Sequence, residues 1–157
     1  MDRTLVAWVE DKPGVLNRVA SLFRRRAFNI ASLTVGRTEV EGVSRMTIVV
    51  DGERTDTEKV TQHLYKLVNV IRVEDVTEQP SVIRDLALIK VAAKNGGRAE
   101  VMQIVETFRA RVVDVGLDTL TVEVTGTEDK IAGLVEVLKP FGVEEMVRTG
   151  RVAMTRG

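Results

Sequence analysis

The apolar residues of this chain switch period in a fixed order, and the whole order occurs twice. "TLVAWVE" is a dense apolar run of strand type, stopped by Asp11-Lys12-Pro13-Gly14. From Val15 the apolar positions are Val15, Leu16, Val19, Leu22 and Phe23, a helical stripe that opens at a proline suited to a first turn. Arg24, Arg25 and Arg26 close it, where cations favour the negative end of the helix dipole. "NIASLTV" and "SRMTIVVD" read as two strands joined across 39–42 as a hairpin. Thr55-Asp56-Thr57-Glu58 matches a capping box and opens a helix with the stripe Val60, Leu64, Leu67 and Val68. "VNVIRVEDV" supplies the last strand. The order β-α-β-β-α-β predicts two helices on one face of a four-stranded antiparallel sheet, the ferredoxin-like arrangement.

After "TEQPSV" the order starts again. "DLALIKVA" reads as a strand, and Val101, Ile104, Val105 and Phe108 have helical spacing. "RVVDVGLDTLTVEVTG" reads as a hairpin turning near 116–118, with Leu120, Val122 and Val124 alternating against Thr121, Glu123 and Thr125. Thr127 is placed to cap a helix with Glu128 and Asp129 in its first turn and the stripe Ile131, Leu134, Val135 and Leu138. "GVEEMVRTGRVAM" returns as a strand with a break at Thr149-Gly150. The expected fold class is α+β: two tandem ferredoxin-like βαββαβ units, residues 1–78 and 83–157.

In a two-layer unit one sheet face stays open. The first strand is apolar in both rows: Leu5, Ala7 and Val9 in one, Val6 and Trp8 in the other. An apolar open face implies a covering partner, so oligomerisation is expected.

Reactive chemistry is scarce. There is no Cys, which removes disulfides, thiolate metal sites and Cys nucleophiles. No metal-ligand spacing and no phosphate-loop signature occurs. The single His, His63, shares a helical face with Lys59 and Lys66 and reads as a solvated basic face. Gly96, Gly97 and Arg98 lack phosphate-loop spacing and read as a plain loop leading into a helix. Lys plus Arg number 23 and Asp plus Glu 23, so the basic footprint of a nucleic-acid binder is missing. No stretch reaches membrane-spanning length and the start lacks a signal-peptide pattern, so a cytoplasmic location is expected. No catalytic residue and no metal site is expected.

What remains is the turn before the first helix. The first turn of a helix presents unpaired N–H groups and the positive dipole end, which together suit a carboxylate. Gly14 has no Cβ, so a ligand can approach the backbone, and Asp11 offers an acceptor of opposite charge to an ammonium. Val15 and Leu16 could bound a small apolar pocket. A zwitterionic amino acid fits that description. So does a plain strand-to-helix turn in which Asp11 caps the helix and Pro13 starts it.

"VEDKPGVLNRVASLFRRRAFNIASLTVG" resembles the amino-terminal ACT-domain signature of the small subunit of acetohydroxyacid (acetolactate) synthase. "SRMTIVVDG" and "YKLVNVIRVEDVT" continue that pattern, and "ARVVDVGLDTLTVEVTGTEDKI" with "GVEEMVRTGRVAMTRG" resembles the family's carboxy-terminal domain. The resemblance implies that the first unit is an ACT domain and that the chain is a non-catalytic subunit. It implies activation of a large catalytic subunit, and feedback inhibition by valine or another branched-chain amino acid. It places thiamine diphosphate, Mg2+ and FAD on that large subunit and no cofactor on this chain. The effector site would comprise Asp11, Lys12, Pro13, Gly14, Val15 and Leu16, with Asn29 and Ile30 contributed across an ACT homodimer. Some members carry Asn where Asp11 stands. Asp adds a charge for the ammonium but cannot donate to a carboxylate.

Overall fold

The computed structural model describes residues 2–94 and 96–157. Its elements are β1 (Asp2–Glu10), α1 (Val15–Arg25), β2 (Ile30–Arg37), β3 (Val43–Asp51), α2 (Thr57–Tyr65) and β4 (Val70–Asp75), then β5 (Ser81–Ala92), α3 (Gly97–Thr107), β6 (Arg111–Val115), β7 (Thr119–Gly126), α4 (Glu128–Leu138), a 3-10 turn (Lys139–Phe141), β8 (Val143–Arg148) and β9 (Val152–Thr155). By contacts the chain forms two units, residues 1–82 with 151–157, and residues 83–150. The expected second domain ran on to residue 157, whereas the last seven residues pack with the first unit.

In the first unit the strand order is β2-β3-β1-β4 and every pairing is antiparallel. The period-two alternation decides which row faces the helices. Leu5, Ala7 and Val9 of β1 and Met46, Ile48 and Val50 of β3 meet Val15, Val19, Leu22 and Phe23 of α1 and Val60 and Leu64 of α2. Phe23 is the largest fully buried side chain and stacks edge-on against Phe28, with centroids 5.8 Å apart. Truncating it to Ala should cost about 3–5 kcal/mol, read as a lower denaturation midpoint.

The opposite sheet face is not bare. Val6 is fully buried, and Thr4, Thr47 and Val49 are nearly so. The cover is the chain's own carboxy-terminal segment: Arg151 Nη1 donates to Thr4 Oγ1 (2.9 Å), and Arg45 Nη2 donates to the Ala153 carbonyl (2.6 Å). Ala153 is itself buried, and Arg156 N–H donates to Pro80 O (2.8 Å). Beyond this cover Trp8 lies between the guanidinium groups of Arg45 and Arg72, 4.8 and 3.8 Å from the ring centroid. The chain itself thus covers much of the apolar outer row of β1, and that row is not by itself a reason to expect a second molecule.

The second unit repeats the plan, with strand order β6-β7-β5-β8. Ala87, Ile89 and Val91 alternate into a core with Leu120, Val122 and Val124 of β7, Val101 and Val105 of α3, and Ile131, Leu134 and Leu138 of α4. Thr127 caps α4 as its sequence suggests, accepting from Lys130 N–H. α2 differs by one residue: its N-cap is Asp56, whose side chain accepts from Glu58 and Lys59 N–H, while Thr55 is buried and accepts weakly from Asn29 N–H. Val68 lies beyond the end of α2 and is exposed, so it leaves the expected stripe.

The repeat extends to the backbone at both ends of the first helix of each unit. α1 and α3 each open on a left-handed glycine, Gly14 at φ 85° and Gly96 at φ 89°. Each ends on a left-handed residue that is not glycine, Ala27 at φ 54° and Arg109 at φ 55°. There Phe28 N–H reaches back to Phe23 O, and Ala110 N–H to Val105 O, closing both helices in the same way. A side chain at such a φ costs about 1–2 kcal/mol, partly offset by the freedom glycine loses on folding. Ala27→Gly should therefore raise stability by about 0.5–1 kcal/mol, a small upward shift in the urea midpoint.

Candidate functional site

The turn from β1 into α1 is held from the backbone. Asp11 N–H donates to Gly42 O (2.8 Å), Lys12 N–H to Glu10 O (3.0 Å) and Val15 N–H to Lys12 O (3.3 Å). The first bond into the helix is Arg18 N–H to Gly14 O (3.0 Å), and no side chain caps the helix. Asp11 is thus not the cap, and Pro13 stands before the left-handed N-cap rather than inside the first turn. The N–H groups of Leu16 and Asn17 precede the first intrahelical bond and face outward at the positive end of the dipole.

Asp11, Lys12, Pro13, Gly14 and Leu16 are exposed, Leu16 by 47%. Val15 instead turns into the core at 4% exposure, so its side chain braces the turn from beneath. A Cβ on Gly14 would meet no atom within 4 Å, so space is not what requires glycine there; the φ of 85° is. Lys12 Nζ is occupied by Glu10 at 2.6 Å. Asp11 pairs with Arg37 at the end of β2, Nε to Oδ2 at 3.4 Å, an exposed contact worth about 1 kcal/mol or less. Nothing near Asp11 in the sequence points to Arg37. The β2–β3 hairpin brings it there.

Asn29 and Ile30 do not join this loop within one chain. Ile30 pairs with Val50, and Val50 pairs with Arg3, whereas the loop follows Glu10, which pairs with Val43. Seven strand positions separate Arg3 from Glu10, or about 23 Å at 3.3 Å per residue. The two halves of the expected site therefore lie at opposite ends of one sheet. Asn29 is exposed, and its carbonyl accepts from Asp51 N–H at 3.4 Å.

Other polar clusters are structural. Arg98 Nη2 donates to the carbonyls of Gly116 (2.8 Å) and Leu117 (2.9 Å), so this arginine pins the β6–β7 turn. Arg148 pairs with the buried Asp85 at 2.6 Å. Partial burial pushes the Asp75 carboxyl up, but hydrogen bonds from Thr77 and Arg3 outweigh it and hold it below 3.8. Among the described residues no group of acidic or His side chains could hold a metal ion, and no described helix is long and apolar enough to cross a membrane.

His63 sits below its ordinary value of 6.5, because desolvation and the charges of Arg26, Lys66 and Lys59 all oppose its proton. The unfolded chain therefore takes up more protons here as the pH falls. The His63 contribution to stability is whole above about 6.5 and is lost as the pH drops through the lowered folded value. Urea midpoints measured at about pH 7.5 and 5.5 should fall less in His63→Gln than in the unaltered protein.

A βαββαβ unit whose first strand passes through a left-handed glycine into a helix without a side-chain cap occurs twice in this chain. Residues 5–72 match the family described as AHAS small subunit-like ACT domain, and residues 84–157 match the family of the small subunit of acetolactate synthase. The chain is 56% identical over 154 residues to the acetolactate synthase small subunit of Mycobacterium leprae, covering 98% of this chain and 91% of that one. It is 48% identical to the small subunit of Bacillus subtilis, covering 100% of this chain and 92% of the other. The crystal structure of the acetolactate synthase small subunit from Thermotoga maritima superposes with a TM-score of 0.92 at 39% identity, covering 100% and 98% of the two chains. The chain belongs to the acetolactate synthase small-subunit family, with its ACT domain at the amino-terminal end.

Proposed function

We propose that this chain is the non-catalytic regulatory partner of a large acetolactate synthase subunit in the cytoplasm. It activates that subunit and confers feedback inhibition by valine or a related branched-chain amino acid. Thiamine diphosphate, Mg2+ and FAD belong to the large subunit in this reading, and neither nucleic acid nor a membrane is involved. The effector carboxylate takes the free N–H groups of Leu16 and Asn17 beside Gly14, its ammonium faces Asp11, and its side chain lies against Leu16. Lys12 and Pro13 shape the loop, while Asn29 and Ile30 come from a second copy.

The observation that carries this reading is the placement of those two halves. β2 is the edge strand of the first sheet, and its far end, Arg37, touches Asp11. Pairing two β2 edges antiparallel about a twofold axis sets the partner copy's residues near 29–30 beside residues near 37. One operation thus supplies what a single chain lacks, and it builds the site twice. An effector between two copies favours one dimer geometry, and inhibition follows if the catalytic subunit prefers another.

Reconstitution with the catalytic subunit tests the proposal. Valine should inhibit the complex, and Asn29→Ala should raise the inhibitory concentration by about tenfold or more while activation persists, as expected for loss of one hydrogen bond to a charged group. Coupling must be reciprocal, so the catalytic subunit should weaken valine binding by the factor by which valine weakens the complex. A complex indifferent to every branched-chain amino acid would contradict the regulatory reading.

A further inference from the structure

Where α1 and α2 end, a cavity of about 370 Å3 is lined by Leu22, Arg25, Arg26, His63, Lys66 and Leu67. Its volume lies in the range of small-molecule pockets. Leu22 is buried and Leu67 packs against the same core, so the cavity has an apolar floor. Its rim is cationic. Arg25, Arg26 and Lys66 are exposed, and among the described residues no carboxylate pairs with any of them or with Lys59.

Helix ends attract cations, and that accounts for each of these residues singly. It does not account for the sum. Two helix carboxyl ends contribute roughly one negative charge together, against three full positive charges on the rim. The excess falls on His63, which faces Arg25 and Arg26 from α1, Lys59 and Lys66 from its own helix region, and the Phe28 ring at 6.0 Å. A cavity with an apolar floor, a surplus of unpaired cations and an imidazole whose proton is opposed by desolvation and by those cations is shaped for a ligand that brings the missing negative charge.

We propose that this cavity binds a small organic anion carrying at least two negative charges on an apolar body. It is a different site from the helix mouth. The ends of an eleven-residue helix separate the two by about 16 Å, and an amino-acid zwitterion brings no net charge. The ligand neutralises the repulsion that disfavours the imidazolium, so binding and protonation of His63 favour each other. Affinity therefore rises as the pH falls through the His range, and by linkage a rise of one unit in the His63 pKa corresponds to up to tenfold in affinity.

The probe is meta-benzenedisulfonate, whose two charges do not titrate near neutrality. His63 is the only histidine of the chain, so its ring resonances report the site without ambiguity. The probe should raise the His63 pKa and bind several-fold more tightly at about pH 6 than at about pH 8. Arg26→Ala with Lys66→Ala should weaken binding by about tenfold or more and let the His63 pKa rise even without the probe. His63→Gln should keep the affinity found at about pH 8 and lose the gain at about pH 6. An unchanged His63 titration at high probe concentration would overturn the proposal, as would equal binding by the double variant. So would an effect that sodium chloride of the same ionic strength reproduces.

Discussion

A chain ending at Gly150 should unfold at a markedly lower urea concentration than the whole protein, with a loss of about 2–4 kcal/mol. The deletion removes Arg151 from Thr4, withdraws the Ala153 carbonyl from Arg45, and uncovers the row holding Val6, Thr47 and Val49. Fully exposing one Val-sized side chain costs about 1.5–3 kcal/mol, and each lost hydrogen bond adds about 1 kcal/mol. Exposure of these residues would be partial, so the total sits at the lower part of the sum. Trp8 is the only tryptophan and lies on that face, so its emission should shift to the red as Arg45 loses its anchor. Arg151→Ala removes the hydrogen bond to Thr4 and should cost about 1 kcal/mol or more. Full stability in the shortened chain would mean that the segment does not hold this face closed.

Gly14→Asp should sharply weaken the response to valine. The substitution forces an L side chain into φ 85°, at about 1–2 kcal/mol, and sets a carboxylate where the ligand's carboxylate would sit. Losing a charge-assisted bond to the helix mouth costs binding about 1.5–3 kcal/mol, and affinity should fall about ten- to a hundredfold, the backbone strain being a cost to folding. The side chain itself has open space around it, so the fold should survive with only the backbone cost. Gly14→Ala separates the two causes. It carries the same φ but no charge, and should keep measurable binding at a modest loss of stability. Equal binding by wild type and Gly14→Asp would move the effector elsewhere.

Much of this was legible in the sequence because apolar periodicity is a local signal. Leu5, Ala7 and Val9 alternate and Val15, Val19 and Leu22 step by helical turns, so the β-α-β-β-α-β order follows from neighbouring residues alone. The helix mouth was legible for the same reason, since Asp11 to Leu16 are contiguous. Choosing between Thr55 and Asp56 as the cap was not, because both side chains can accept from a helix N-terminus. Only the burial of Thr55 against Asn29 N–H decides it. Val68 fits the stripe of α2 by number, yet that helix ends at Tyr65, after which helical spacing has no meaning.

Contacts made across long stretches of chain were invisible. Arg151 reaches Thr4 over 147 residues, so an apolar row on β1 looked uncovered although the same chain supplies the cover. Arg37 meets Asp11 only through the β2–β3 hairpin. The gap between Asn29 and the helix mouth likewise follows from register rather than composition. The cationic cavity was half visible: Lys59, His63 and Lys66 share a face, but Arg25 and Arg26 join them only when α1 and α2 end side by side.

The most direct test of the central claim is titration calorimetry of L-valine into the full chain, with Gly14→Asp and Asn29→Ala beside it and sedimentation run on the same samples. Saturable valine heat from a dimer, with affinity about tenfold or more weaker in both variants while the dimer persists, is the predicted result. Valine binding by a monomer, or binding untouched by either substitution, would contradict a site shared between the helix mouth of one copy and Asn29 of the other.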